Sequence, residues 1–195
     1  MTDAVVRGEI REEVLGISGW DAVEVGHRAD VLAWLDSGVE VFRLRKPDVP
    51  AKHLVAYFVV VDPERRSLLL GDHIDAQLWL PTGGHVEPGE HPRRTVVREA
   101  REELGIDAEF LGDDPRPLFV TVTETGGISA GHTDVSLWYL VRGDAGADAH
   151  DLVFDPAEFN AIGWFTFDEV LATDPARFDP HMHRFTAKLL HHLDT

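Results

Sequence analysis

Apolar residues at the start of the chain recur four apart, at Val6, Ile10 and Val14, with Glu9, Glu12 and Glu13 between them. That spacing predicts an amphipathic helix over 3–15, stopped by Gly16 and Ser18-Gly19. A second helix is predicted over about 21–35, with Val25, Leu32 and Leu35 inward and Asp36-Ser37-Gly38 as its stop. After a short alternating run at 40–44 the period changes. HLVAYFVVV at 53–61 is β-branched and aromatic, as a buried strand requires, and Asp62-Pro63-Glu64 turns it toward a partner over 67–70. Residues 77–81 carry Trp79 toward the pair Gly83-Gly84.

Further on, strands are predicted over 118–123 and 133–141, the second with Val135, Leu137, Tyr139 and Val141 on one face. A turn over 124–131 separates them, and an acidic Ala/Gly-rich loop over 144–151 is expected to be mobile. A last strand over 160–167, a helical turn over 168–171 and a closing helix over 180–193, striped by Phe185, Leu189 and Leu190, complete the pattern. Strands interleaved with one central helix and flanked by others predict an α/β fold, layered α/β/α around a mixed β-sheet.

The central helix carries the chemistry. At about 100° per residue, Glu102 and Glu103 lie near −60° and +40° of Glu99, so three carboxylates share an arc of roughly 100°. Val97, Ala100 and Leu104 take the other side. Like charges at this spacing repel by a few tenths of a kcal/mol per pair, so a positive partner is expected there. An oxygen-only cluster without adjacent His or Cys suits a hard cation, Mg²⁺ or Mn²⁺, better than zinc.

The stretch GHVEPGEHPRRTVVREAREELGI, residues 84–106, resembles the Nudix box. The pattern is met by Gly84, Glu90, Arg98, Glu99, Ala100, Glu102, Glu103, Gly105 and Ile106. Seven fixed identities at fixed spacing arise by chance about once in a hundred million start positions, at a background near 7% per residue type. The resemblance is sharp over the box, loose from about Leu54 onward and absent over the first 50 residues. It implies a Nudix-type α/β/α sandwich over 51–195, with 1–50 as a helical N-terminal extension.

The resemblance also implies an activity: hydrolysis of the diphosphate linkage in a nucleoside diphosphate joined to another group (a nucleotide, nucleotide sugar or dinucleotide) by metal-activated water. The implied metal ligands are Glu99, Glu102, Glu103 and the carbonyl of Gly83, with Glu99 and Glu102 catalytic and Arg98, with Glu90, orienting them. The general base is Glu99 or a downstream carboxylate, for which Asp134, Glu124 and Glu158 are candidates. A nucleotide-sensing module that keeps the fold without turnover is the competing reading, and the intact box argues against it.

Charge and composition narrow the partners. Thirty-five acidic against 18 basic residues give a formal net charge of −17, which repels nucleic acid and anionic membranes. A phosphorylated substrate then needs the metal and a local basic patch. Arg43, Arg45, Lys46 and Lys52 form the densest positive cluster, and Arg43 and Arg45 are candidate phosphate contacts, with His85, His132 and Asp134 as further substrate candidates. Tyr57, Trp79, Phe119 and Trp138 are candidates to stack on a base, against a core role for each. His181, His183, His191 and His192 are expected at the surface.

Without cysteine there is no disulfide or thiolate chemistry. The N-terminus has no signal-like apolar core and no run approaches a membrane span, so the cytoplasm is expected. The predicted N-terminal helices are assigned to covering the core, to a lid or to a homodimer contact, and the sequence does not choose.

Overall fold

The computed structural model describes residues 3–46, 48–125, 131–146 and 153–195. Helices α1 (Asp3–Gly16) and α2 (Ala22–Asp36) precede strands β1 (Lys52–Asp62), β2 (Ser67–His73), β3 (Leu78–Leu80) and β4 (Thr82–His85). Helix α3 (Pro92–Leu104) leads to β5 (Phe119–Glu124), β6 (Thr133–Arg142) and β7 (Phe159–Thr166), and α4 (Phe167–Ala172) and α5 (Met182–Leu193) follow. Of the predicted turn over 124–131 and the acidic loop over 144–151, residues 126–130 and 147–151 lie outside the described residues.

Strand alternation builds the layers. Leu54, Ala56, Phe58 and Val60 of β1 and Val135, Leu137, Tyr139 and Val141 of β6 point into one core, with Val6, Ile10 and Val14 of α1, Val31 and Leu35 of α2, and Val96, Ala100 and Leu104 of α3. Val59, Val61, Trp138 and Leu140 point the other way, against Phe167 and Val170 of α4 and Met182, Phe185 and Leu189 of α5. A sheet covered on both faces carries near-continuous apolar strands, as β1 does. The two N-terminal helices thus share a core with the central helix.

The sheet order is β3-β2-β1-β6-β5, with β4 also on β1 and β7 on β2. β1 runs parallel to β6, from Lys52 beside Thr133 to Val61 beside Arg142. Along its other edge β1 pairs first with β4 (Val55 with His85, Phe58 with Thr82) and then with β2 (Val60 with Leu69). The strands beside β1 diverge there, and a cavity opens at the divergence, walled by Val55, Tyr57, Leu78, Leu80, Gly83 and Gly84.

Four expectations are corrected. Val97 of α3 is only half-buried, beside Arg94 and Arg101, and Val96 takes the core position. Val25 of α2 is half exposed, and Glu24 is fully buried in its place. Its carboxylate accepts from Lys188 Nζ at 2.7 and 2.9 Å and from the Trp20 amide at 2.6 Å. Glu13, expected on the outer face of α1, is buried too, accepting from Tyr139 Oη at 2.7 Å because that buried phenol needs a partner. His181 and His183 are half-buried where α5 packs on the sheet, and only His191 and His192 are exposed. Burial first, then Arg184, holds His181 down at about 4. Among the described residues, no helix is long and apolar enough to cross a membrane.

The buried Glu24–Lys188 pair ties α2 to α5. Removing one partner strands the other charge, so Glu24→Ala is expected to cost about 3–5 kcal/mol in urea unfolding, most of it recovered in Glu24→Leu/Lys188→Met. Equal stability of Glu24→Ala and the parent would contradict this.

Candidate active site

Helix α3 starts with Pro92 in its first turn, where no backbone donor is lost, and with His91 Nδ1 accepting from the Arg93 amide. Glu90, just before it, accepts from Thr95 Oγ1 at 2.8 Å. One turn further, Arg98 reaches back. Its Nη2 donates to Glu90 Oε2 at 3.1 Å and to the His85 carbonyl at 3.2 Å, and its Nη1 donates to Glu99 Oε1 at 2.6 Å and Glu102 Oε2 at 3.3 Å. One guanidinium therefore joins the loop, β4 and two helix carboxylates. Burial works against its charge, yet Glu90 and Glu99 hold Arg98 above its ordinary value.

Glu103 is buried and accepts from the Gly83 amide at 3.0 Å. Burial first, then the charges of Glu99 and Glu158, push its carboxyl up to about 10. Glu99 is raised by burial more than Arg98 lowers it. Both glycines are required by contact. A β-carbon at Gly84 would overlap the Glu99 carboxylate, and one at Gly83, whose φ is +146°, would overlap the Ala56 carbonyl. Glu99 and Glu103 interact electrostatically, and oxygen donors of this kind are what a hard divalent cation takes.

The cavity beside them measures about 680 Å³. Of the sequence-predicted residues, Gly83, His85, Arg98, Glu99, Glu103, Arg43, Arg45, His132 and Asp134 all line it. Glu102 does not: its side chain is 60% exposed and Arg98 tethers it on the outer side. Arg43 pairs with Asp48 at 3.5 Å, whereas Lys52 turns away to Asp30 at 2.6 Å. Lys46 joins the basic wall. Phe119 and Trp138 are fully buried, which removes them as base-stacking candidates, but Tyr57 reaches the cavity wall. The downstream carboxylates Asp134, Glu124 and Glu158 line the cavity as well.

Sequence reasoning passed over Asp48, His53 and Asp179. Asp179 is buried at the cavity wall, and burial raises its carboxyl to about 6. His53 sits at the start of β1 directly beside Asp134 in the β1–β6 register. A strand beginning with His beside a His-x-Asp start was the available signal, but it needs the parallel register to be seen.

A model of the NUDIX domain family matches residues 51–189. The chain belongs to the NUDIX family. Two curated relatives match over short segments: the asymmetrical bis(5'-nucleosyl)-tetraphosphatase of Sus scrofa, 60% identical over 33 residues, which are 17% of this chain and 22% of that one; and the CTP pyrophosphohydrolase of Escherichia coli, 48% identical over 46 residues, 22% of this chain and 34% of that one. The chain thus spans only about a fifth to a third of their length. A crystal structure of a MutT NUDIX hydrolase from Burkholderia pseudomallei superposes with a TM-score of 0.53 at 24% identity, over 70% of this chain and 96% of that one, a likeness of fold.

The raised Glu103 carboxyl has a thermodynamic consequence. From its ordinary 4.5 to about 10 the folded protein keeps a proton that the unfolded chain has lost, so this group lowers metal-free stability as pH rises through that window. In EDTA the melting temperature is expected to fall from about pH 5 to pH 9, with Glu103→Gln flattening the slope. An unchanged slope in the variant would contradict the assignment.

Proposed function

We propose that the protein is a Mg²⁺- or Mn²⁺-dependent pyrophosphohydrolase acting in the cytoplasm on a small nucleotide-type diphosphate. The observation that carries this reading is the Arg98 clamp, which holds Glu99 near the buried Glu103 in a cavity that Arg43, Arg45 and Lys46 also line. Glu99, Glu103 and the Gly83 carbonyl would hold the cation, with Glu102 added from the rim. When bound, the cation supplies charge neutralisation at phosphorus and a more acidic water.

The residues of the chain do the rest. Arg43 and Arg45 bind and orient the phosphates, Asp134 borders the substrate, and Tyr57 offers an apolar face to the base. Glu99 takes the proton of the attacking water. The water oxygen bonds to phosphorus, the anhydride P–O bond breaks, and the leaving phosphate keeps the electron pair. The relatives named for a dinucleoside tetraphosphate and for CTP support a phosphoanhydride of a nucleotide as the shared chemistry.

Incubation with nucleoside triphosphates, nucleotide sugars and dinucleotides plus Mg²⁺, resolved by chromatography, is expected to release a nucleoside monophosphate or diphosphate from at least one class. Glu99→Gln is expected to lower kcat by about two to four orders of magnitude, and Glu158→Gln by less than about tenfold. Arg98→Gln is expected to cost about 10–100-fold in activity or metal affinity. No cleavage of any compound, or full activity in Glu99→Gln, would overturn the reading, and Mg²⁺-dependent nucleotide binding without cleavage would favour a sensing module.

A further inference from the structure

At the cavity wall formed by the beginnings of β1 and β6 and the end of β4, three imidazoles meet. His53 and His132 stack with centroids 5.1 Å apart, and His85 lies 4.8 Å from His53. Asp48 closes the group, its Oδ2 3.3 Å from His132 Nδ1. One ligating atom from each of Asp48, His53, His85 and His132 falls within 4.8 Å of all the others. Four donors around a tetrahedral zinc stand ~3.3 Å apart, so the cluster is open by up to about 1.5 Å, within reach of side-chain rotations.

The tautomer of His53 leaves one nitrogen for a cation. His53 is fully buried, and its Nδ1 lies 2.8 Å from the Pro50 carbonyl, to which only an N–H can donate. Neutral His53 then presents an Nε2 lone pair; burial lowers the pKa of the ring but Asp134, 3.3 Å from Nε2, raises it on balance, so a proton competes with a cation for that nitrogen. An imidazole whose far nitrogen donates to a backbone carbonyl is the orientation that metal-bound histidines adopt. His85 Nε2 is buried without a partner as well. A second proton on His53 would satisfy its contact with Asp134 but would leave His85 Nε2 unserved.

We propose that Asp48, His53, His85 and His132 form a second cation site, separate from the glutamates of α3, which takes a divalent transition-metal ion of the Zn²⁺ class. Three nitrogens and one oxygen select against Mg²⁺, which requires oxygen ligands and retains its waters. Asp134 Oδ1 faces the same side of the cluster, 3.3 Å from both His53 Nε2 and His132 Nε2, and supplies a counter-charge there.

The test uses the full chain without an added histidine tag, stripped with EDTA, dialysed against Zn²⁺, Co²⁺ or Mg²⁺, desalted and assayed for bound metal by mass spectrometry. About one equivalent of Zn²⁺ or Co²⁺ is expected to remain, with the intense visible absorption of four-coordinate Co²⁺, and no Mg²⁺. Glu99→Gln/Glu103→Gln is expected to keep that equivalent and that spectrum. His53→Gln is expected to lose both. Because His53 is buried, His132→Gln and Asp48→Asn serve as second variants, each expected to weaken retention at least tenfold while the metal-free melting temperature stays near that of the parent. No retained Zn²⁺ in the parent, or retention lost with the glutamates and kept in His132→Gln and Asp48→Asn, would overturn the proposal. Retention is read without turnover, so either result stands apart from the hydrolase reading.

Discussion

One guanidinium holds the candidate active site together. Glu90, Glu99 and Glu102 converge in a chain that already carries a net charge of −17, and Arg98 is the cation within hydrogen-bonding distance of all three. It spends its remaining donor on the His85 carbonyl, which fixes β4 against α3. A lysine could supply the charge but not the planar fork that serves four acceptors at once. Position and electrostatics are therefore set by the same side chain, and the proposed cation would balance what Arg98 does not reach, chiefly the buried Glu103.

The fold makes that clamp possible by placing α3 against a strand with no side chains to spare. Gly83 and Gly84 let β4 pass directly under Glu99 and Glu103 while β4 still pairs with β1. The split of β1's edge between β4 and β2 opens the cavity there, and the parallel β1–β6 pairing brings His53 and Asp134 to the same rim. The N-terminal helices contribute from behind, filling the core beneath α3 with Val6, Ile10 and Val31.

Much of this was legible in the sequence where periodicity and contact chemistry coincide. The strand at 53–61, the inward face of Val135 to Val141 and the carboxylate arc of α3 follow from spacing alone, and the Nudix box gave the relation of Glu90 and Arg98 to the glutamates. Spacing failed where burial is decided by a partner far along the chain. Val25 looks inward on any helical wheel, but Lys188, 164 residues away, draws Glu24 in instead. Glu13 is buried for Tyr139 in the same way. Glu102 belongs to the arc yet stands outside the cavity, because a shared helical face says nothing about which end of that face the sheet covers. The gathering of His53, His85 and His132 depends on strand register, which no local pattern encodes.

The proposed activity requires a divalent cation between Glu99 and Glu103 on the Arg98 side of the cavity. Anomalous diffraction from crystals soaked in Mn²⁺ with a non-hydrolysable nucleotide diphosphate tests it most directly. The account predicts a manganese peak bonded to the Glu99 and Glu103 carboxylates with the diphosphate beside it, lost in Glu103→Gln. Manganese bound only outside the cavity at Glu102, or a diphosphate seated away from Glu99, would contradict it.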